Sequence, residues 1–195
     1  MENKPTTVPE TATQAGEIRA RSSFAEATAD KWAWVEPSVW TDRMLTALEN
    51  GVKGGKWFSL IDKVYAKPTL RAGFAKVKLN AGSGGMDGQT VKMFESKEED
   101  NLDTMQKQLR EGSYRPKPVR RVWISKLSGR DKRPLGIPTV EGRVVQTALK
   151  TVLEPIFEKD FAPTSYGCRP GRGCKDALRQ VDQLLKEGYS WVVDA

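Results

Sequence analysis

The 195-residue chain contains no histidine and only two cysteines, Cys168 and Cys174. A structural zinc ion usually takes four ligands from Cys and His, so no metal site of that kind is expected. Without histidine, the usual serine and cysteine hydrolase triads are also excluded. The two cysteines read as ordinary reduced thiols, not as a disulfide. No run approaches the roughly 18–20 consecutive apolar residues of a membrane span. The opening Met-Glu-Asn-Lys-Pro lacks the apolar centre of a secretory signal, so the expectation is a cytoplasmic protein without a membrane partner. Internal repeats are absent. What remains is a chain of 38% apolar residues, enough for one core of ordinary size, with a net charge of +7.

That charge is unevenly placed. Residues 1–50 carry 5 basic and 8 acidic side chains, whereas residues 110–150 carry 11 and 3, a local balance of +8. The basic side chains of this stretch are mostly Arg, interleaved with Tyr114 and Trp123. A solvated charged face would look similar. A polyanion footprint is preferred because the whole excess is concentrated and mixed with aromatics. Charge alone leaves nucleic acid and anionic lipid both open.

The first 31 residues are rich in Thr, Ala, Glu and Pro and read as a disordered tail. Order is expected from Trp32. Ser38 is a plausible cap for a helix running through Leu48 and ending before Gly51. Trp57, Phe58, Ile61, Val64 and Tyr65 form one helical face stopped before Pro68. Leu70, Phe74 and Val77 mark a third helix. The segment 80–88 holds four glycines and reads as a mobile loop whose backbone can approach a partner closely. A helix over about 91–111 follows. From Glu141, paired apolar residues recur every four positions and predict a long helix kinked at Pro155. Residues 165–173 form a Gly/Pro/Arg loop. Ala177, Leu178, Val181, Leu184 and Leu185 predict an amphipathic helix ending near Gly188. Residues 190–195 read as the start of a buried strand.

Between these helices lies an alternating pattern. Val122, Ile124 and Lys126 share one face, as do Arg133, Leu135 and Ile137, with a turn-rich Leu127-Ser-Gly-Arg-Asp-Lys132 between them. Folding 119–126 against 133–138 with Lys126 opposite Arg133 places Ile124 on Leu135 and Val122 on Ile137. It also sets two cations side by side, which is unfavourable unless an anion lies between them. The pattern therefore predicts a phosphate site at the hairpin tip.

The run Arg133-Pro-Leu-Gly-Ile-Pro-Thr-Val-Glu-Gly-Arg-Val-Val-Gln146, followed by Ser165-Tyr-Gly-Cys-Arg-Pro-Gly-Arg172, resembles the fingers of bacterial group II intron reverse transcriptases, also called intron maturases. The resemblance covers roughly residues 40–195. It departs from the usual pattern at Cys168, where relatives most often have Phe, and at Lys175, where they often have His. It implies an α+β reverse-transcriptase fingers subdomain, helices plus an antiparallel hairpin, over residues 32–195 with the first palm strand truncated. It implies that Lys126 and Arg133 contact the triphosphate of the incoming nucleotide. The glycine loop, with Gly82, Gly84 and Gly85, would close over template and primer. Lys117, Arg120 and Arg121 from the basic stretch would bind RNA phosphates, and Arg169 and Arg172 template phosphates, with helix or loop capping as the alternative for these last two. The implied partners are intron RNA, an RNA template with a DNA primer, and dNTP. The implied cofactor is Mg2+, held by carboxylates of which the first is expected immediately after Ala195. No catalytic or metal-binding residue is expected within the chain, and the chain alone is expected not to polymerise. The competing expectation is an RNA-binding splicing factor without polymerase activity. A third is a basic domain on an anionic membrane.

Overall fold

The computed structural model describes residues 31–52, 55–57, 59–126, 131–191 and 193. The expected tail therefore lies outside the described residues apart from Lys31. So do Phe58, the hairpin tip at 127–130, Val192, Asp194 and Ala195. The chain divides into two compact units, at residues 1–57 and 58–195.

In the first unit, helix α1 spans Asp42–Asn50. It begins later than the sequence pattern suggests. Thr41 in extended conformation precedes it, while the Ser38 hydroxyl donates to Glu36 at 2.9 Å instead of capping a helix. Trp32, Val35, Val39, Trp40 and Leu48 are buried. The Trp32 indole N–H donates to Glu49 at 2.8 Å, giving the buried ring's one polar atom a partner. Trp40 and Trp57 meet edge to face with centroids 5.5 Å apart. Trp57 is thus half-buried against Trp40 within this unit and is not the start of the next helix, as its spacing had suggested.

The second unit is built from helices α2 (Leu60–Val64), α3 (Lys67–Leu79), α4 (Val91–Glu95), α5 (Glu98–Arg110), α6 (Val140–Glu158) and α7 (Cys174–Lys186), with strands β1 (Arg120–Ser125) and β2 (Lys132–Ile137). Helix α2 is short because Ser59 stands at φ 55°, outside helical geometry, directly before it. Pro68 falls in the first turn of α3, where its missing N–H costs nothing. The expected helix over 91–111 is broken in two. Lys97 leaves helical geometry at φ −131°, ψ 38°, and the Asn101 amide donates to the Phe94 carbonyl that the break exposes, at 3.0 Å.

The core lies between α3 and α6. Leu70, Phe74 and Val77 of α3 meet Val144, Ala148 and Val152 of α6, all buried. Gly73 permits this closeness, since a Cβ there would come within 3.1 Å of the Val144 carbonyl oxygen. Phe94, Leu102 and Met105 close the other side of α3, with Phe74 and Phe94 centroids 4.7 Å apart. Each large buried apolar side chain contributes about 1.5–3 kcal/mol relative to exposure. Outside this seam, Lys67 bridges Glu99 and Asp103 at 2.9 and 2.5 Å, and Lys78 bridges Glu95.

Two expectations meet different outcomes at the C-terminal end. Helix α7 forms as the periodicity predicts, opened by Gly173, whose N–H donates to Asp176 at 3.0 Å. None of its residues is buried, however. The expected buried strand at 190–195 does not form in the described residues. Trp191 and Val193 are 95% and 91% exposed and irregular. A buried strand needs a neighbour to satisfy its backbone and cover its side chains, and among the described residues β1 and β2 pair only with each other.

Candidate nucleic-acid interface

The hairpin forms where the alternation placed it, with Val122, Ile124, Leu135 and Ile137 on one face. Its register is shifted by two residues from the expected one. Val122 pairs with Leu135, Ile124 with Arg133 and Arg120 with Ile137. A shift of two preserves every side chain's face, whereas a shift of one would have inverted them. The ladder continues one pair further than the strands, because the Lys126 N–H donates to the Asp131 carbonyl at 2.8 Å. The expected pairing of Lys126 with Arg133 is therefore corrected. Lys126 lies opposite Asp131, an acidic residue, and this relieves the like-charge contact that the other register would create. Lys126 and Arg133 remain on one face as diagonal neighbours, with backbones roughly 7–8 Å apart by general sheet geometry.

The second face carries Arg121, Trp123 and Ser125 from β1 and Lys132, Pro134 and Gly136 from β2. Trp123 stands opposite Pro134. Proline has no N–H to give a ladder, so it fits here only because that position's N–H would point away from β1. Trp123 is 56% exposed, and Arg121, Lys126, Lys132 and Arg133 are all exposed. These four cations have no ion-pair or hydrogen-bond partner for their side chains among the described residues.

The other basic residues are differently placed. Lys117 is held between Asp87 at 3.3 Å and Glu141 at 3.1 Å. Partial burial pulls its pKa down, but hydrogen bonds to Glu141 and Asp87 outweigh this and the net shift is upward. Arg120 donates to the Ser83 hydroxyl at 2.9 Å. Arg143, which the sequence pattern does not single out, donates to the carbonyls of Ala81 and Ser83, both at 3.1 Å. Lys117, Arg120 and Arg143 thus tie the glycine loop to the β1 approach and to the start of α6.

The glycines of that loop have intramolecular reasons to be glycine. A Cβ on Gly85 would lie 2.6 Å from Thr139 Cα, and one on Gly84 would lie 2.8 Å from the Gln89 carbonyl oxygen. Gly82 has φ 98° and lies against the Arg143 guanidinium. The loop expected to be mobile is docked on Thr139, the residue whose hydroxyl caps α6 by accepting from the Gly142 N–H at 3.1 Å.

Arg169 is the most committed cation of all. Its side chain is 6% exposed and forms a forked pair with Glu158, with Nε at 3.0 and 3.1 Å and Nη2 at 2.6 Å. Its Nη1 donates to the carbonyls of Ala162 and Ser165, both at 2.8 Å. Phe161 covers the guanidinium at 5.1 Å. Arg172 donates to the Pro163 and Ser165 carbonyls and lies 5.6 Å over Tyr166. No helix among the described residues is long and apolar enough to cross a membrane. No three of His, Cys, Asp and Glu converge among them either.

No family model matches the chain. Among curated proteins it is 34% identical over 170 residues to Protein YkfC of Escherichia coli K12, covering 84% of this chain and 40% of that protein. It is 38% identical over 96 residues to the group II intron-encoded protein LtrA of Lactococcus lactis, covering 49% of this chain and 16% of LtrA. Nuclear intron maturase 4 of Arabidopsis thaliana is 30% identical over 132 residues, 67% of this chain and 15% of the relative. The chain spans less than half the length of the curated relatives that it matches.

Proposed function

Since this chain is a homologue of the group II intron-encoded protein LtrA and of intron maturases, we propose that it carries the RNA- and nucleotide-binding part of an RNA-directed DNA polymerase acting on a group II intron. The observation that carries the reading is the hairpin: four exposed cations without side-chain partners among the described residues, beside an exposed Trp123. Unpartnered Arg and Lys on one projecting element are what phosphate binding requires, and each phosphate neutralised releases counterions. Lys126 and Arg133, on the same face, suit a triphosphate, Lys as a point charge and Arg as a planar fork. The glycine loop, pinned at the base of the hairpin through Arg120 and to the start of α6 through Arg143, would lie along the template. In the complete enzyme Mg2+ would supply two-metal phosphoryl transfer. The described residues would serve that chemistry by holding RNA and nucleotide.

The test is binding of a fluorescent intron RNA across a salt series, with dNTP binding measured separately. Salt-sensitive RNA binding together with dNTP binding that requires Lys126 and Arg133 supports the polymerase reading. RNA binding without any dNTP binding favours a splicing factor, the second reading, which the names of the maturase relatives support. Liposome binding that survives RNA competition would contradict both.

A further inference from the structure

We propose that the second face of the hairpin is a stacking platform for a base of single-stranded RNA, with Trp123 as the stacking residue and Arg121 and Lys132 as its phosphate contacts. The proposal rests on the polymerase reading and assigns the RNA to the face that Lys126 and Arg133 do not occupy. Along β1, Val122 and Ile124 are half-buried while Trp123 between them is 56% exposed. A core tryptophan would alternate the other way. Exposing a large aromatic ring to water is unfavourable, and more than half of this residue is exposed. The register sets Arg121 two residues before Trp123 on the same face, and Lys132 opposite Ser125, diagonal to the ring. Pro134 lies directly opposite the ring; Gly136, next along the strand, is covered by Val119, whose Cγ2 lies 3.0 Å from where a Cβ would stand, so the side chain directly across from the ring is the compact proline.

This arrangement matches what single-stranded nucleic acid needs. An unpaired base has an apolar face to stack on an aromatic ring, and its backbone places a phosphate on either side within reach of flanking cations. A duplex keeps its bases stacked inside and could use only the cations. The platform should therefore prefer single strands and be tolerant of sequence, because every base has a stacking face.

The test uses the full chain, with a single-stranded RNA 12-mer and a blunt RNA duplex of the same length. Trp123→Ala should weaken single-strand binding about tenfold at every salt concentration and leave duplex binding unchanged. The salt slope should not move, since no charge is removed. Trp123→Phe should keep most of the affinity. Arg121→Gln and Lys132→Gln should each flatten the single-strand slope by roughly 0.7. Melting curves matching the wild type confirm that the variants fold, which is expected at exposed positions. If Trp123→Ala binds the single strand like the wild type, or loses both RNAs equally, the platform is wrong, while a flattened slope in the charge variants would leave the RNA-binding reading standing. If the wild-type chain binds neither RNA, both fall.

Discussion

Two regions of this chain are rich in arginine and glycine, and they use their cations in opposite ways. In the 165–173 loop, the Arg169 side chain is buried against Glu158 and the carbonyls of Ala162 and Ser165, and Arg172 shares the Ser165 carbonyl and adds that of Pro163. On the hairpin, Arg121, Lys126, Lys132 and Arg133 have no side-chain partners among the described residues. The difference lies in what stands nearby. Glu158, at the end of α6, faces the loop and draws in the arginine. The hairpin's carboxylate, Asp131, lies opposite Lys126 and engages through its backbone. Arginine density in a sequence therefore does not separate a structural staple from a ligand-binding surface. The location of the compensating acceptors does.

This contrast can be broken most forcefully at Arg169. Arg169→Ala leaves the partly buried Glu158 without its partner and should destabilise the second unit by about 2–3 kcal/mol. Thermal melting measures this. RNA affinity of the fraction that remains folded should be nearly unchanged, and a large drop in affinity at unchanged stability would reverse the assignment. Next in size is the double reversal Arg121→Glu with Lys132→Glu. It should lower RNA affinity by at least tenfold and leave melting within error, because neither side chain holds the fold. Lys126→Ala and Arg133→Ala should each weaken dNTP binding by about tenfold, as expected for removing one charge-assisted hydrogen bond to phosphate, with a smaller effect on RNA.

Helix α7 sharpens the comparison from the apolar side. Leu178, Val181 and Leu185 are exposed although they share a face at helical spacing. Exchanging Leu178 and Leu185 for Gln should raise solubility and lower binding of a hydrophobic dye, with a change in stability below about 1 kcal/mol. Unchanged dye binding would mean that this face is covered in solution. The smallest effect concerns Glu99. The hydrogen bond from Lys67, and then that from Arg71, hold its carboxyl below the ordinary carboxylate range. A depressed pKa contributes stability above the unfolded value, near about 4.3, and that contribution is lost as pH falls through the folded value. Glu99→Gln should slightly flatten the acid limb of melting temperature against pH. An identical limb would show that the pair is solvated away.

Much of the helical frame was legible because periodicity carries it. α3, α6 and α7 follow the apolar spacing of Leu70, Phe74 and Val77, of Val144, Ala148 and Val152, and of Ala177, Leu178, Val181 and Leu185. The hairpin's faces were legible for the same reason, since alternation is insensitive to a shift of two residues. Its register was not, because the pairing of Val122 and Ile124 with apolar partners competes with the like-charge cost of Lys126 beside Arg133. The break at Lys97 depends on the Asn101 amide reaching Phe94, which no period reveals. Arg143 was missed because its role is tertiary: its partners are backbone carbonyls some sixty positions away. The glycine loop read as mobile because composition reports backbone freedom and not the neighbour, Thr139, that uses it.

The central claim is that the hairpin, and not the 165–173 loop, provides the phosphate contacts to RNA. The most direct measurement is the salt dependence of intron RNA binding for the wild type, for the double variant Arg121→Gln with Lys132→Gln, and for Arg169→Gln. The slope of log K against log salt should fall by roughly 1.4 in the double variant, about 0.7 for each phosphate no longer neutralised, and should stay at the wild-type value in folded Arg169→Gln. A double variant with an unchanged slope, or an Arg169→Gln protein that stays folded and has a flattened slope, would contradict the account.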